Sequence, residues 1–273
     1  MITHQETKVS TFDALAGQDV TSVRAAIRTG SYRGHTAGLA AGKLQVNLAI
    51  LPAEYAPDFE AFCRQNPQPC PLVGMTEAGN PLWPALGGID VRTDAPSYNI
   101  YRDGALVDTV PDLKAVWRND LVAFAIGCSF TFEAALVAAG VPMAHIDADR
   151  TVPMYRTNIA TAPAGPFGGG MVVSLRYVAP EQVALARETT ARFPWAHGAP
   201  VHVGDPAEIG INDIHAPDWG DPPVGTDGVP MFWACGVTPQ NALAEARPPL
   251  CITHTPGRML ITDIDDQTNS FIA

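Results

Sequence analysis

Twenty residues, Leu121 to Gly140, read LVAFAIGCSFTFEAALVAAG and constrain the fold more than any other stretch. A run this apolar belongs either in a bilayer or in a protein core. Ser129, Thr131 and Glu133 stand at its centre, where a carboxylate is expensive in lipid. The run therefore reads as a buried strand, LVAFAIG, that turns at Cys128-Ser129 into a buried helix, FTFEAAL.

Hydrophobic residues make up 47% of the 273 and charged ones 16%, enough for one large domain or a domain with a subdomain. Twenty-five prolines and 24 glycines keep the elements short and the turns well defined. Seventeen basic residues against 28 acidic ones leave a formal charge of −11, with no Lys/Arg cluster. That balance argues against nucleic acid or an anionic membrane as partner, so an anionic substrate must be met by local Arg or by helix N-termini. The opening MITHQETKVSTFDAL has no basic segment followed by an apolar run, as a secretory signal would. Five cysteines, an odd number without a CxxC pair, suit a reducing compartment better than a disulfide framework. A cytoplasmic location is expected.

Phe59, Phe62 and Cys63 recur at helical spacing before the rigid NPQPCPLVG segment stops the helix. SYNIYRDGALVDT reads as a hairpin around Asp103-Gly104. MYRTNIA and MVVSLRYV read as two strands joined by TAPAGPFGGG, and a helix from Glu181 to Arg192 follows. This β-β-α unit is expected to form an inserted, two-layer α+β subdomain over residues 146–199. Residues 1–145 and 200–273 would form the main domain. There PVHVGD and VPMFWACG read as strands, QNALAEAR as a helix behind Thr238-Pro239, and PLCITHTPG as a strand. Strand–helix–strand order predicts an α/β fold with a mixed, mainly parallel sheet and flanking helices. In such sheets ligands bind at the carboxyl ends of strands, which would gather Cys128-Ser129, Cys235-Gly236 and the His202-to-Asp205 turn.

Several residues there are suited to chemistry. The Gly127-Cys128-Ser129 corner can seat a carboxylate on free helix N–H groups, or Ser129 can simply cap its helix. Cys235, ahead of Gly236-Val237-Thr238, is either a buried structural thiol or a polar group at a second helix N-terminus. Arg156 and Asn158 share one face of a strand, and an arginine so placed can grip a carboxylate bidentately. His202 and Asp205 fit a base with its orienting carboxylate. His197, His202, Asp205, Asp218, Asp221 and His254 contain no HxH or helical HxxxH pairing, so no metal site is assigned. Gly168-Gly169-Gly170 lacks the lysine of a phosphate loop, and no nucleotide cofactor is expected.

GCSFTFEAAL, MYRTNI, HGAPVHVGDPAEIGI, PDWGD, PMFWACGVTPQ and THTPGRMLITD, in this order and spacing, resemble the D-glutamate cyclase family of hydro-lyases. The resemblance runs from about Val20 to Asp266. It implies an α/β main domain with a smaller α+β subdomain, and conversion of D-glutamate to 5-oxo-D-proline with loss of water, within 5-oxoproline metabolism. On these residues His202, supported by Asp205, would deprotonate the amine and His254 would protonate the leaving oxygen. N–H groups at Ser129 or Thr238 would hold the oxyanion, Arg156 and Asn158 the α-carboxylate, while Cys235 polarises or shields the site. Two other readings stay open: a metal-assisted hydro-lyase on another small hydroxy or amino acid, and a non-catalytic carboxylate-binding protein. Self-association is open too.

Overall fold

A computed structural model of the protein describes residues 11–148 and 150–266. Two short helices, α1 (Phe12–Leu15) and α2 (Val20–Arg28), precede the long strand β1 (Lys43–Pro52) and helix α3 (Ala56–Gln65). Then come β2 (Leu72–Met75), the two-residue strands β3 (Leu82–Trp83) and β4 (Ile89–Asp90), the hairpin β5 (Tyr98–Arg102) and β6 (Ala105–Val110), and β7 (Leu121–Gly127). The apolar run continues as α4 (Phe130–Ala138), followed by α5 (Ala144–Asp147), β8 (Met154–Ala160), β9 (Gly170–Val178) and α6 (Val183–Ala191). The order closes with β10 (His202–Val203), β11 (Val229–Ala234), α7 (Val237–Ala246), β12 (Cys251–His254) and β13 (Leu260–Asp265).

Seven strands form a large sheet in the order β2-β7-β1-β12-β5-β6, with β13 also paired to β1. Four form a small sheet in the order β10-β11-β9-β8, and β3 pairs with β4. Along β7 the side chains alternate between two cores. Leu121, Ala123 and Ala125 lie in one with Leu48 and Ile252, while Val122, Phe124 and Ile126 lie in the other with Phe59 and Cys251. A strand covered on both faces needs apolar residues at every position, which is why its sequence shows no alternation. The expected hairpin forms, with Asp103 and Gly104 both at positive φ as a tight two-residue turn requires.

The mainly parallel sheet does not form: every strand pairing among the described residues is antiparallel. A βαβ crossover returns to the sheet it left, whereas here the helices change sheets. β7 belongs to the large sheet, yet α4 lays Phe132 and Leu136 against Met231 and Trp233 of the small one. β11 belongs to the small sheet, yet α7 lays Ala242 and Leu243 against Ala49, Leu51 and Phe124 of the large one. The two strands that the sequence reading places in the main domain, β10 and β11, pair with each other and, through β11, with β9. None of the helices among the described residues is long and apolar enough to cross a membrane.

Candidate functional site

β7 and β11 end in similar corners. Each is followed by a buried cysteine and then by the cap of a helix: Cys128-Ser129 before α4, Cys235-Gly236 before α7. Asn47 of β1 ties the corners together. Its amide donates to the carbonyls of Ile126 at 3.3 Å and Gly127 at 2.9 Å. It also lies so close to Gly236 that a Cβ there would come within 2.2 Å of Nδ2. Gly127 is as restricted, because a Cβ on it would sit 1.5 Å from the Trp195 carbonyl oxygen. Helix α4 has no side-chain cap bond, and neither has α7. Instead the Phe130 N–H reaches the Cys128 sulfur and the Val237 N–H reaches Cys235. Burial nevertheless pushes these thiols up to about 12 and about 11. Both are therefore neutral at physiological pH, able to donate weakly but not to attack as thiolates.

Beside the α4 corner lies an ion pair that the sequence reading missed. Arg176 of β9, 3% exposed, donates from Nε and Nη2 to Glu133 Oε1 at 3.2 and 2.5 Å. Nη2 also reaches Ser129 Oγ at 3.3 Å, and Nη1 reaches Ser174 Oγ at 2.8 Å. The guanidinium carbon lies 5.1 Å from the Phe132 ring centre and 5.4 Å from that of Trp233. His145 Nε2 stands 3.1 Å from the same Glu133 oxygen. Burial works to raise the Glu133 carboxyl, but the Arg176 charge and His145 overcome it and hold it at about 2. A guanidinium has five N–H groups, so these bonds leave one, on Nη1, uncommitted. Arg176 and His145 line a small cleft, with about 20 Å³ of room for a water-sized guest, together with Met143, Pro153, Tyr177 and Val224. The sequence signal for this pair was a lone charge inside each of two apolar stretches, FTFEAAL and MVVSLRYV. A buried charge needs a buried partner.

Among the residues expected from the sequence, Cys128, Ser129 and Cys235 come together here. Ser129 does not cap its helix; its hydroxyl accepts from Arg176. Thr238 lies within the first turn of α7, because the helix starts at Val237, and its hydroxyl accepts from Val172 N at 2.9 Å and donates to Val172 O at 3.2 Å. Arg156 alternates onto the same face of the small sheet as Arg176. It is exposed, however, and already holds Asp218: Nη1 reaches Oδ1 at 2.7 Å, while the guanidinium lies 4.4 Å over Trp219. Asn158 instead donates to the Glu208 carbonyl at 3.4 Å.

The acid–base set built on His202, Asp205 and His254 does not assemble. His202 is on the small sheet, its ring 5.7 Å from that of Phe232, and its Nε2 bonds the main-chain oxygen of Asp205 at 2.8 Å. The Asp205 carboxylate is exposed and accepts from Ala207 N, because a carboxylate ahead of a helical turn finds free N–H groups closer than the imidazole. His254 is on the large sheet, where Nδ1 accepts from Leu48 N at 3.1 Å. It alternates with Thr253 and so follows Ile252, on the face opposite Asn47 and Ala49. Burial pushes its imidazole down to about 4. Among the described residues, no three His, Cys, Asp or Glu side chains are grouped as a metal ion would require.

Two buried polar atoms near the α4 corner lack a hydrogen-bond partner among the described residues: Thr131 Oγ1, in the first turn of α4, and His197 Nε2, two residues beyond Trp195.

Residues 122–263, from β7 to β13, match the family model for D-glutamate cyclase, a span that holds both corners and the ion pair. The chain belongs to the D-glutamate cyclase family. A relative from Dinoroseobacter shibae is 57% identical over 265 residues, covering 96% of this chain and 88% of its own length. One from Ruegeria pomeroyi is 59% identical over 255 residues, 93% of each chain. Both bear the name "Putative hydro-lyase". Among solved structures, a nitrogen repressor-like protein from Methanococcus jannaschii aligns at a TM-score of 0.38 and 12% identity, over 84% of this chain and 90% of that one. That likeness is too slight to show a shared fold. Within this cyclase family member the match carries no residue roles; those follow from the geometry of the α4 corner.

Proposed function

We propose that this hydro-lyase of the D-glutamate cyclase family closes D-glutamate to 5-oxo-D-proline, with loss of water, in the cleft against Arg176. The observation that carries the reading is Arg176 itself: a buried cation that walls a cleft, bonds the cap residue of α4 and keeps one N–H uncommitted. In a chain of net charge −11 such a group is what an acidic substrate would need, together with the positive end of a helix.

The reaction joins the α-nitrogen to the γ-carboxyl carbon of one molecule and releases a γ-carboxyl oxygen as water. Because it is intramolecular, holding the chain curled supplies much of the acceleration, up to ~7–11 kcal/mol for well-oriented cases. The α-carboxylate would lie on the free Arg176 Nη1–H. The oxyanion formed on the γ-carboxyl carbon would face the N-terminus of α4, where water is excluded and fixed dipoles act strongly. Cys128 and Cys235, as neutral thiols, dress that corner without competing as nucleophiles. Glu133 keeps the guanidinium in place through their buried ion pair, with the last N–H left for a bound acid.

Incubation of the pure protein with D- and L-glutamate, following 5-oxoproline by chiral chromatography, tests the reading. Formation of 5-oxo-D-proline from D-glutamate is expected. A folded sample that turns over neither enantiomer overturns it.

A further inference from the structure

The stretch HGAPVHVGDPAEIG contains two histidines, and the one with no evident partner in sequence is the one the fold buries. His197 is 1% exposed and adopts a left-handed backbone, φ 76°, that side-chain-bearing residues rarely hold without compensation. Its Nδ1 lies 2.9 Å from the carbonyl oxygen of Gln68. A carbonyl only accepts, so Nδ1 carries the proton and Nε2 keeps its lone pair. That lone pair has no partner among the described residues, although a buried acceptor left unmatched costs roughly 1–3 kcal/mol. The segment cannot retreat, because the Trp195 carbonyl is wedged against Gly127 at the start of the α4 corner. Thr131 Oγ1, in the first turn of the same helix, is unmatched as well. Arg176 is the charge that bears on the imidazole, and with burial it keeps the ring neutral.

We propose that His197 Nε2 is the base of the cyclisation, taking a proton from the substrate ammonium as the nitrogen attacks the γ-carboxyl carbon. The step rests on the reading of the α4 corner given above and assigns it a catalytic residue. It balances without any co-reactant. The nitrogen gives up two protons and forms the N–C bond; the C–O bond breaks, and the departing oxygen takes two protons to leave as water. The imidazole holds the first proton between those events and ends neutral. Thr131 Oγ1 can accept a second ammonium hydrogen, which orients the nitrogen lone pair toward the γ-carboxyl carbon. The fixed tautomer matters: with Nδ1–H locked on Gln68, only the nitrogen that faces away from that carbonyl can take the proton.

The variant H197N tests this. Asparagine tolerates a left-handed backbone and offers Gln68 an N–H, but it has nothing in place of Nε2. Expected is a loss of at least ~10²-fold in kcat with KM changed much less, and disappearance of the acid limb from the pH profile of kcat. Activity within about tenfold of wild type, with the acid limb intact, overturns the proposal while leaving the cyclase reading standing. A wild type that turns over no glutamate removes that reading and this proposal with it. Should H197N fail to fold, ¹⁵N NMR of the wild-type imidazoles decides instead. Nε2 of His197 is expected to be an unprotonated acceptor in the free protein and to move toward the hydrogen-bonded form when D-glutamate is added. An Nε2 resonance unmoved by saturating D-glutamate overturns the assignment.

Discussion

The two strand-to-helix corners have the same local plan and opposite degrees of completion. At α7 the chain satisfies itself: Thr238 stitches the first turn to β9, and Gly236 is packed on Asn47. At α4 the cap hydroxyl is given to Arg176, while Thr131 and His197 keep unmatched atoms and a cleft opens beyond the guanidinium. One corner is a joint closed by its own chain; the other leaves two buried polar atoms without a partner among the described residues.

Substitutions can break or sharpen this contrast. The largest effect is expected at Gly127, where G127A drives a Cβ into backbone; loss of soluble folded protein, or more than about 4 kcal/mol by urea titration, is expected. G236A meets only the Asn47 side chain, which can shift, and should cost about 1–3 kcal/mol. Equal costs at both would refute the difference in packing. Next comes E133Q, which strands the buried Arg176 charge and is expected to cost about 3–5 kcal/mol and to abolish turnover. A stable E133Q protein would show that the pair is dispensable.

Acid should act through His197 and His254. Both imidazoles are held at about 4 in the fold against an unfolded value of 6.5. Between those values the unfolded chain binds more protons, so stability falls as pH drops below 6.5, by roughly 1.4 kcal/mol per pH unit for each histidine. H254N retains an acceptor for Leu48 N and should halve that slope in unfolding titrations at pH 5 to 6.5. A slope unchanged by H254N would show that His254 does not contribute. The smallest effect belongs to the completed corner: T238V should cost about 1–2 kcal/mol and leave kcat within a few fold. A T238V enzyme that is stable but inactive would move the catalytic burden to α7.

Much of the fold was legible in the sequence, and for identifiable reasons. The Leu121–Gly140 run, the Asp103-Gly104 hairpin and the β8–β9–α6 unit depend on local patterning, and each is found where expected. The antiparallel topology was not legible, because strand–helix–strand order is silent on which sheet the second strand joins. Cys128, Ser129 and Cys235 could be placed at strand-to-helix corners because a strand end followed by a small residue and a helix is a local signal. His202 and Asp205 looked like a dyad by spacing alone, yet the carboxylate takes the nearer N–H. Arg176 and Glu133 lie 43 residues apart and declare themselves only as charges out of place.

The exchange of helices between the two sheets has a consequence for how the molecule behaves as a whole. Since each sheet is roofed by a helix that grows out of the other, neither half can be expressed, melted or evolved without the other. Unfolding should proceed as one event, and any ligand that tightens the junction should protect amides throughout both.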